Sequence, residues 1–375
     1  MENKEEGKFF LHACIAYFVS MVLFVCLRVA SGLGWFDLLA DNVGERATDV
    51  VATVLIQIVF FLLVPLLIVK ILSKQSMGKT LRWIGFDKPS GRVIGYAVLL
   101  GLLMYLFNMF VAAFSHTMLD LIGFRFSSGG SPFVGVSGLF IGILIVGVLP
   151  GMCEEVSNRG VLMRGIMSKL GAWRAVLLSS LIFGLMHLNI VQFFYAMVLG
   201  ILIALAVLAT RSLWTGVIIH FMNNAMSVFF SFAQSNDWVI AKAFQNFLNL
   251  FSGDFGFILY IGFAIGVYML IMHILHKFAR EGYKANEKAY FAEFLRRNPK
   301  YIEEKIKQGQ AVTLDDMART VESYVKTLSK MRATRFYLEG QHKPQKLKPL
   351  EMTMLFGIIF LTSVVTVMTL VWGLL

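Results

Sequence analysis

The sequence predicts an all-α fold, a polytopic transmembrane helix bundle of about nine spans with a basic helical cytosolic insertion before the last span. Three observations predict it. Of 375 residues, 57% are hydrophobic and only 15% are charged, which is too apolar for a soluble domain and fits a chain whose solvent is the bilayer. Nine apolar runs each approach the roughly 20 residues that a membrane helix needs. No ten-residue alternating pattern of a membrane barrel occurs, so the backbone groups in the bilayer must be satisfied within helices.

The elements follow in order. The polar start Met1–Lys8 leads into an apolar run over 9–31. This run is long for a signal-peptide core and no Ala-x-Ala cleavage site follows, so it reads as the first transmembrane helix. Further spans are expected at 50–72, 94–115, 132–153, 175–192, 194–210, 214–232, 255–275 and 352–374. The fifth to seventh are crowded, with only His187–Asn189 and Arg211–Trp214 between them. Lys74, Lys79, Arg82, Lys88 and Arg92 fall in one loop, Arg159, Arg164, Lys169 and Arg174 in another, and Arg211 in a third. The 33–49 loop carries Asp37, Asp41 and Glu45 against a single Arg46. With nine spans the basic loops share one side, which places the N-terminus in the cytosol and the C-terminus outside. Short cytosolic loops and the lack of targeting segments favour a bacterial plasma membrane.

The expected organisation is a membrane bundle over 1–275, a basic cytosolic helical region over 276–350 and a C-terminal helix over 351–375. The formal charge is +11, and Lys277–Pro349 alone holds 17 Lys and Arg against 9 Asp and Glu. A basic segment beside a bilayer reads as a topology determinant or a contact with anionic lipid, not as a nucleic-acid site. Asn286–Lys307 and Thr313–Leu338 look helical, the second opened by a capping box from Thr313 to Asp316. Lys343–Pro349 is a basic linker into the last span. The region reads as a solvated helical hairpin, or as a docking site for a cytosolic partner. Cys14, Cys26 and Cys153 show no C-x-x-C spacing, so neither a disulfide framework nor a cysteine metal site is implied. Cys153 beside the glutamate pair reads as a packing residue in preference to a nucleophile.

Three polar clusters interrupt the apolar spans: Glu154-Glu155-Val-Ser-Asn-Arg159, Phe183-Gly-Leu-Met-His187 and His220-Phe-Met-Asn-Asn224. Ionisable groups in a bilayer cost free energy unless paired, which makes them functional candidates. Glu155 and Arg159 are four apart and share a helix face, so they can pair. Glu154 lies about 100° around the axis from Glu155, so one carboxylate can be neutralised while the other faces a cavity and serves as a general acid or base. The bland reading is a helix end whose charges snorkel to the headgroups. His187 taken alone reads as a packing histidine bonded to a carbonyl. His220 and Asn224, again four apart, offer donors to a developing oxyanion. Together the set suits activation of water beside an oxyanion site, as in a protease that works within the membrane.

Other chemistries find less support. There is no His-Glu-x-x-His and no Gly-x-Ser-x-Gly, and Gly253-Asp254 is an isolated loop pair. A zinc site with an open position would find three ligands in Glu154, His187 and His220.

The clusters, in this order, resemble the CPBP family of CAAX-protease and bacteriocin-processing membrane proteins, also called the Abi family, which includes the type II CAAX prenyl endopeptidases. The family pattern Glu-Glu-x-x-x-Arg, Phe-x-x-x-His, His-x-x-x-Asn is met by Glu154, Glu155, Arg159, Phe183, His187, His220 and Asn224, over about 150–230. The family core would then occupy about 130–235. Many relatives carry an aromatic residue just before the arginine, where this chain has Asn158. The resemblance implies that Glu154 and His187 activate the attacking water, that His220 and Asn224 stabilise the oxyanion, and that Arg159 pairs with Glu155. It implies a metal-free glutamate-dependent peptidase, with zinc as the alternative and no other cofactor. The implied partners are the bilayer and a membrane-associated peptide or protein, prenylated or not; bacterial relatives are linked to bacteriocin maturation, immunity and control of sensors. A non-catalytic adaptor that regulates a sensor kinase or confers bacteriocin immunity is the competing reading, with the basic 276–350 region as its docking surface. A transporter, whose ionisable residues would line the full membrane depth, fits less well.

Overall fold

A computed structural model describes residues 2–86, 88–125, 135–251, 256–285, 299–313 and 345–374, and among them there is no β-strand. Eight helices are long and apolar enough to cross a membrane. With one shorter apolar helix they are numbered here α1 (Glu2–Gly32), α2 (Glu45–Ser73), α3 (Gly91–Leu121), α4 (Gly135–Leu170), α5 (Ala172–Leu185), α6 (Ile190–Thr210), α7 (Leu213–Ser235), α8 (Gly256–Ala285) and α9 (Pro349–Leu374). The protein is an integral membrane helix bundle.

Two boundaries differ from expectation. The fourth span does not stop at 153: α4 continues to Leu170 and buries Arg159 completely and Lys169 almost completely. Both cations are carried inside by a carboxylate, Arg159 by Glu155 at 2.7 Å and Lys169 by Glu351 of α9 at 2.5 Å. Neither cation is therefore a loop charge. The fifth span is also shorter than 175–192. Its 14 residues span about 21 Å at 1.5 Å per residue, less than a bilayer core. The chain then turns at His187–Asn189, so His187 sits on a turn and not within a helix.

Small residues bring the helices close. A β-carbon on Gly184 of α5 would meet the backbone of Phe193 on α6, and one on Gly216 of α7 would lie 2.7 Å from a carboxylate oxygen of Glu155. α3 packs on α7, α1 packs on both α4 and α9, and α5 packs on α6. One continuous apolar core runs from Phe10 and Tyr17 of α1 through Phe183 and Ile203 to Ile358 of α9.

At one end of the bundle the amide of Leu213 donates to Gly85 O at 2.8 Å, and Arg164 donates to Trp83 O at 3.0 Å and to Arg211 O at 3.4 Å. These bonds tie the start of α7 to the short helix Met77–Ile84 and to α4. Between α8 and α9 the structure describes one helix, Pro299–Lys307. The expected helix start at Asn286, the helix to Leu338 with its Asp316 capping partner, and the first part of the Lys343–Pro349 linker lie outside the described residues.

Three stretches are wound as π-helix: Ile56–Leu63 in α2, and Ile143–Val148 and Val156–Met163 in α4. Such windings are rare and gather at functional sites. Here Gln57 is the second residue of the first, and Glu154 and Glu155 directly precede the third.

Candidate active site

The site is built on α4. Glu155 lies wholly inside, and its Oε1 accepts from Arg159 Nη1 at 2.7 Å and from His220 Nδ1 of α7 at 3.0 Å. Arg159 also donates through Nη2 to Gly200 O on α6 at 3.2 Å and lays its guanidinium 4.1 Å from the Phe183 ring centre. Glu155 and Arg159 thus cross-link α4, α6 and α7 and fix the His220 ring. A carboxylate only accepts, so His220 Nδ1 carries the proton, which leaves Nε2 to face inward.

Among the described residues Glu155 Oε2 is buried without a hydrogen-bond partner, and Glu154 differs in having no arginine. Its Oε1 accepts from Gln57 Nε2 of α2 at 2.8 Å. Its Oε2 is buried with no hydrogen-bond partner among the described residues. His220 Nε2 lies 4.0 Å from it, beyond hydrogen-bond range.

His187 turns Nδ1 to Phe183 O at 2.8 Å. A carbonyl only accepts, so Nδ1 donates and Nε2 of the neutral ring is a free base. Both Glu154 and His220 act electrostatically on His187. Phe183 separates the two imidazoles, edge-on to His187 at 5.2 Å and to His220 at 5.6 Å. The structure therefore sets Arg159, His187 and His220 around the Phe183 ring, with Glu155 bonded to Arg159 and His220, and Glu154 beside His220.

Asn224 is engaged elsewhere. Its Nδ2 donates to Val146 O at 3.0 Å, and its Oδ1 accepts from Asn223 Nδ2 at 3.0 Å. Pro150 stands four residues after Val146 and has no N–H to offer that carbonyl. The Asn224 amide thus reaches the carbonyl that an α-helical bond from position 150 would use, and one of its two amide protons is committed to that bond.

Three residues enter the site that the sequence reading passed over. Gln57 was legible as a lone amide within the apolar run of α2. Asn223 stood beside Asn224 without a periodic signal of its own. Tyr17 of α1 gave none: its hydroxyl accepts from Asn158 Nδ2 at 3.0 Å and donates to Met186 Sδ at 3.3 Å. Asn158 is the position where many relatives of the resembled family carry an aromatic residue, and here α1 brings a tyrosine against it.

Residues 136–226 match the Rce1-like family model, described as type II CAAX prenyl endopeptidase Rce1-like. The match supports the CPBP/CAAX-protease family. It spans all three polar clusters and stops before α8 and α9. Gln57 and Tyr17 therefore lie outside the Rce1-like segment, although both touch residues within it. No curated protein and no solved structure matches the chain.

A zinc ion would need Glu154, His187 and His220 to converge. Among the described residues no three His, Cys, Asp or Glu side chains converge as metal ligands. Glu155 holds the Nδ1 of His220 and the Phe183 carbonyl holds that of His187, which leaves both Nε2 atoms open.

Proposed function

We propose that this protein is an intramembrane endopeptidase that hydrolyses a peptide bond in a membrane-associated peptide or protein. The observation that carries the reading is the asymmetry of Glu154. Glu155 is neutralised by Arg159, but Glu154 is held through one oxygen by the neutral amide of Gln57, and its other oxygen is buried without a hydrogen bond among the described residues, 4.0 Å from His220 Nε2. Burying an uncompensated carboxylate oxygen is costly, and a site that binds and deprotonates water gives that oxygen its purpose.

In this mechanism Glu154 Oε2 takes a proton from water, with His187 Nε2 orienting the same water. The hydroxide oxygen adds to the scissile carbonyl carbon. The carbonyl electron pair moves to oxygen, and that oxyanion lies against the Nε2 edge of His220 and accepts from the second amide proton of Asn224. Collapse breaks the C–N bond, and the proton held by Glu154 passes to the leaving amine. Glu155 and Arg159 touch no substrate; they hold His220 in its orientation.

The substrate is a chain that reaches this depth of the bilayer, and a prenyl group is not required by any feature of the site. The Lys and Arg of the 73–93 loop favour a cytosolic N-terminus, and the short cytosolic loops favour a bacterial plasma membrane.

The test uses protein reconstituted in lipid vesicles with membrane-anchored fluorogenic peptides. Cleavage by wild type that is lost in Glu154→Ala and His187→Ala, with folding intact, supports the reading. Cleavage that survives Glu154→Ala contradicts it. Activity lost to a zinc chelator and restored by zinc would return the metal alternative.

A further inference from the structure

The turn that carries His187 is held in a costly conformation. Leu188 has φ +52, a left-handed value that a leucine rarely adopts. Such a conformation persists only where its surroundings enforce it. His187 is therefore placed by whatever fixes the chain on either side of Leu188.

On the near side, α5 ends with the Leu188 amide bonded to Leu185 O at 3.0 Å. On the far side α6 begins, and its first four N–H groups have no partner within their own helix. At the depth of a membrane each must be satisfied by protein. Asn189 Oδ1 accepts from Val191 N at 2.8 Å and from Gln192 N at 3.4 Å, and Asn189 O accepts from Phe193 N at 2.9 Å. The remaining donor, Ile190 N, is taken by Thr369 Oγ1 of α9 at 3.0 Å. Thr369 in turn donates to Thr366 O at 2.7 Å. Its one proton is thus committed to Thr366 O, and the bond to Ile190 N uses a lone pair of the same oxygen.

α9 is itself fixed at both ends. At its start Glu351 pairs with Lys169 and accepts from Lys348 N at 2.7 Å, while Gln345 N bonds Lys169 O at 2.9 Å. At its end Gly373 O accepts from Arg125 N at 2.7 Å. Thr366 adds a longer contact to Leu185 O at 3.4 Å. The register of α9 is therefore set independently of the turn it caps.

We infer that Thr369, on a helix outside the Rce1-like segment, is a positioning residue that caps α6 and pins the strained turn carrying His187. Its effect on cleavage rests on the proposed peptidase reading; its hold on the turn does not.

The experiment compares wild type, Thr369→Val and Thr369→Ser in lipid vesicles, by hydrogen exchange over residues 186–193 and by kcat and KM on an anchored peptide. We expect Thr369→Val to speed exchange at Ile190 about tenfold, the scale of one lost buried hydrogen bond, with α1 unchanged. kcat falls about tenfold and KM stays within about twofold, because His187, which orients the water, is displaced and not the substrate. Thr369→Ser restores both. Unchanged exchange at Ile190 in Thr369→Val overturns the inference. So does faster exchange with an unchanged kcat, which would make the cap structural alone. If wild type cleaves nothing, the peptidase reading fails, and the exchange rate at Ile190 still decides whether Thr369 holds the turn.

Discussion

Gln57 and Glu154 lie on different transmembrane helices, 97 positions apart in sequence, and meet through a single 2.8 Å hydrogen bond. That bond decides which oxygen of the carboxylate faces His220. Gln57→Leu is nearly equal in volume and removes the donor. A hydrogen bond to a charged group contributes about 1.5–3 kcal/mol, so kcat is expected to fall about 10- to 100-fold with the fold retained. Gln57→Asn, a residue too short to reach, is expected to behave like leucine. Activity assays beside thermal melts in detergent check both, and full activity in Gln57→Leu would remove Gln57 from the account.

Arg159 and Glu155 are a buried pair, and the consequence differs for single and double replacement. Arg159→Met leaves a carboxylate uncompensated in the core, which costs about 3–5 kcal/mol. The single variant is expected to express poorly or melt early. The double variant Arg159→Met/Glu155→Leu is expected to recover most of that stability and still show no cleavage, because His220 has lost the acceptor for Nδ1. Melting curves and cleavage assays on the two variants separate these effects.

Asn224 bonds the carbonyl four residues before Pro150. Pro150→Ala restores an N–H four residues after Val146, and that N–H competes with the Asn224 amide for the same carbonyl. The variant is expected to be as stable as wild type or more so, since proline inside a helix costs about 3 kcal/mol. It is also expected to lose activity as Asn224 is released. Unchanged kcat with raised stability would show that Asn224 serves the helix alone.

Tyr17 and Asn158 occupy one buried space between α1 and α4. Asn158→Phe overfills it, at a cost of about 1–3 kcal/mol. Tyr17→Ala in the same chain is expected to return much of that stability by vacating the ring's volume. Additive destabilisation, read from thermal melts of the two singles and the double, would show that the two positions do not exchange their aromatic ring.

The sequence carried the polar inventory of the site because ionisable groups in apolar spans stand out against their surroundings. It carried the spans for the same reason. It misplaced the end of α4, since a hydropathy pattern treats Arg159 and Lys169 as loop charges. Only their partners show otherwise, and Glu351 is 182 positions from Lys169. It overextended α5, because the left-handed Leu188 has no compositional mark. Thr369 was invisible: a membrane threonine usually bonds its own helix, and only the assembled bundle shows which foreign N–H it also accepts. Asn224 was legible as a polar residue, but its bond to Val146 shows only in the assembled bundle.

The central claim is that Glu154 activates water for peptide hydrolysis within the membrane. The most direct measurement expresses wild type and Glu154→Gln at matched levels in the source cell lacking its own copy, and reads new N-termini in the membrane and secreted fractions by mass spectrometry. The account predicts a set of peptide ends present with wild type and missing with Glu154→Gln, and these ends would name the substrate. Identical end profiles, with the cellular phenotype still rescued by Glu154→Gln, would contradict it and leave the non-catalytic adaptor as the function.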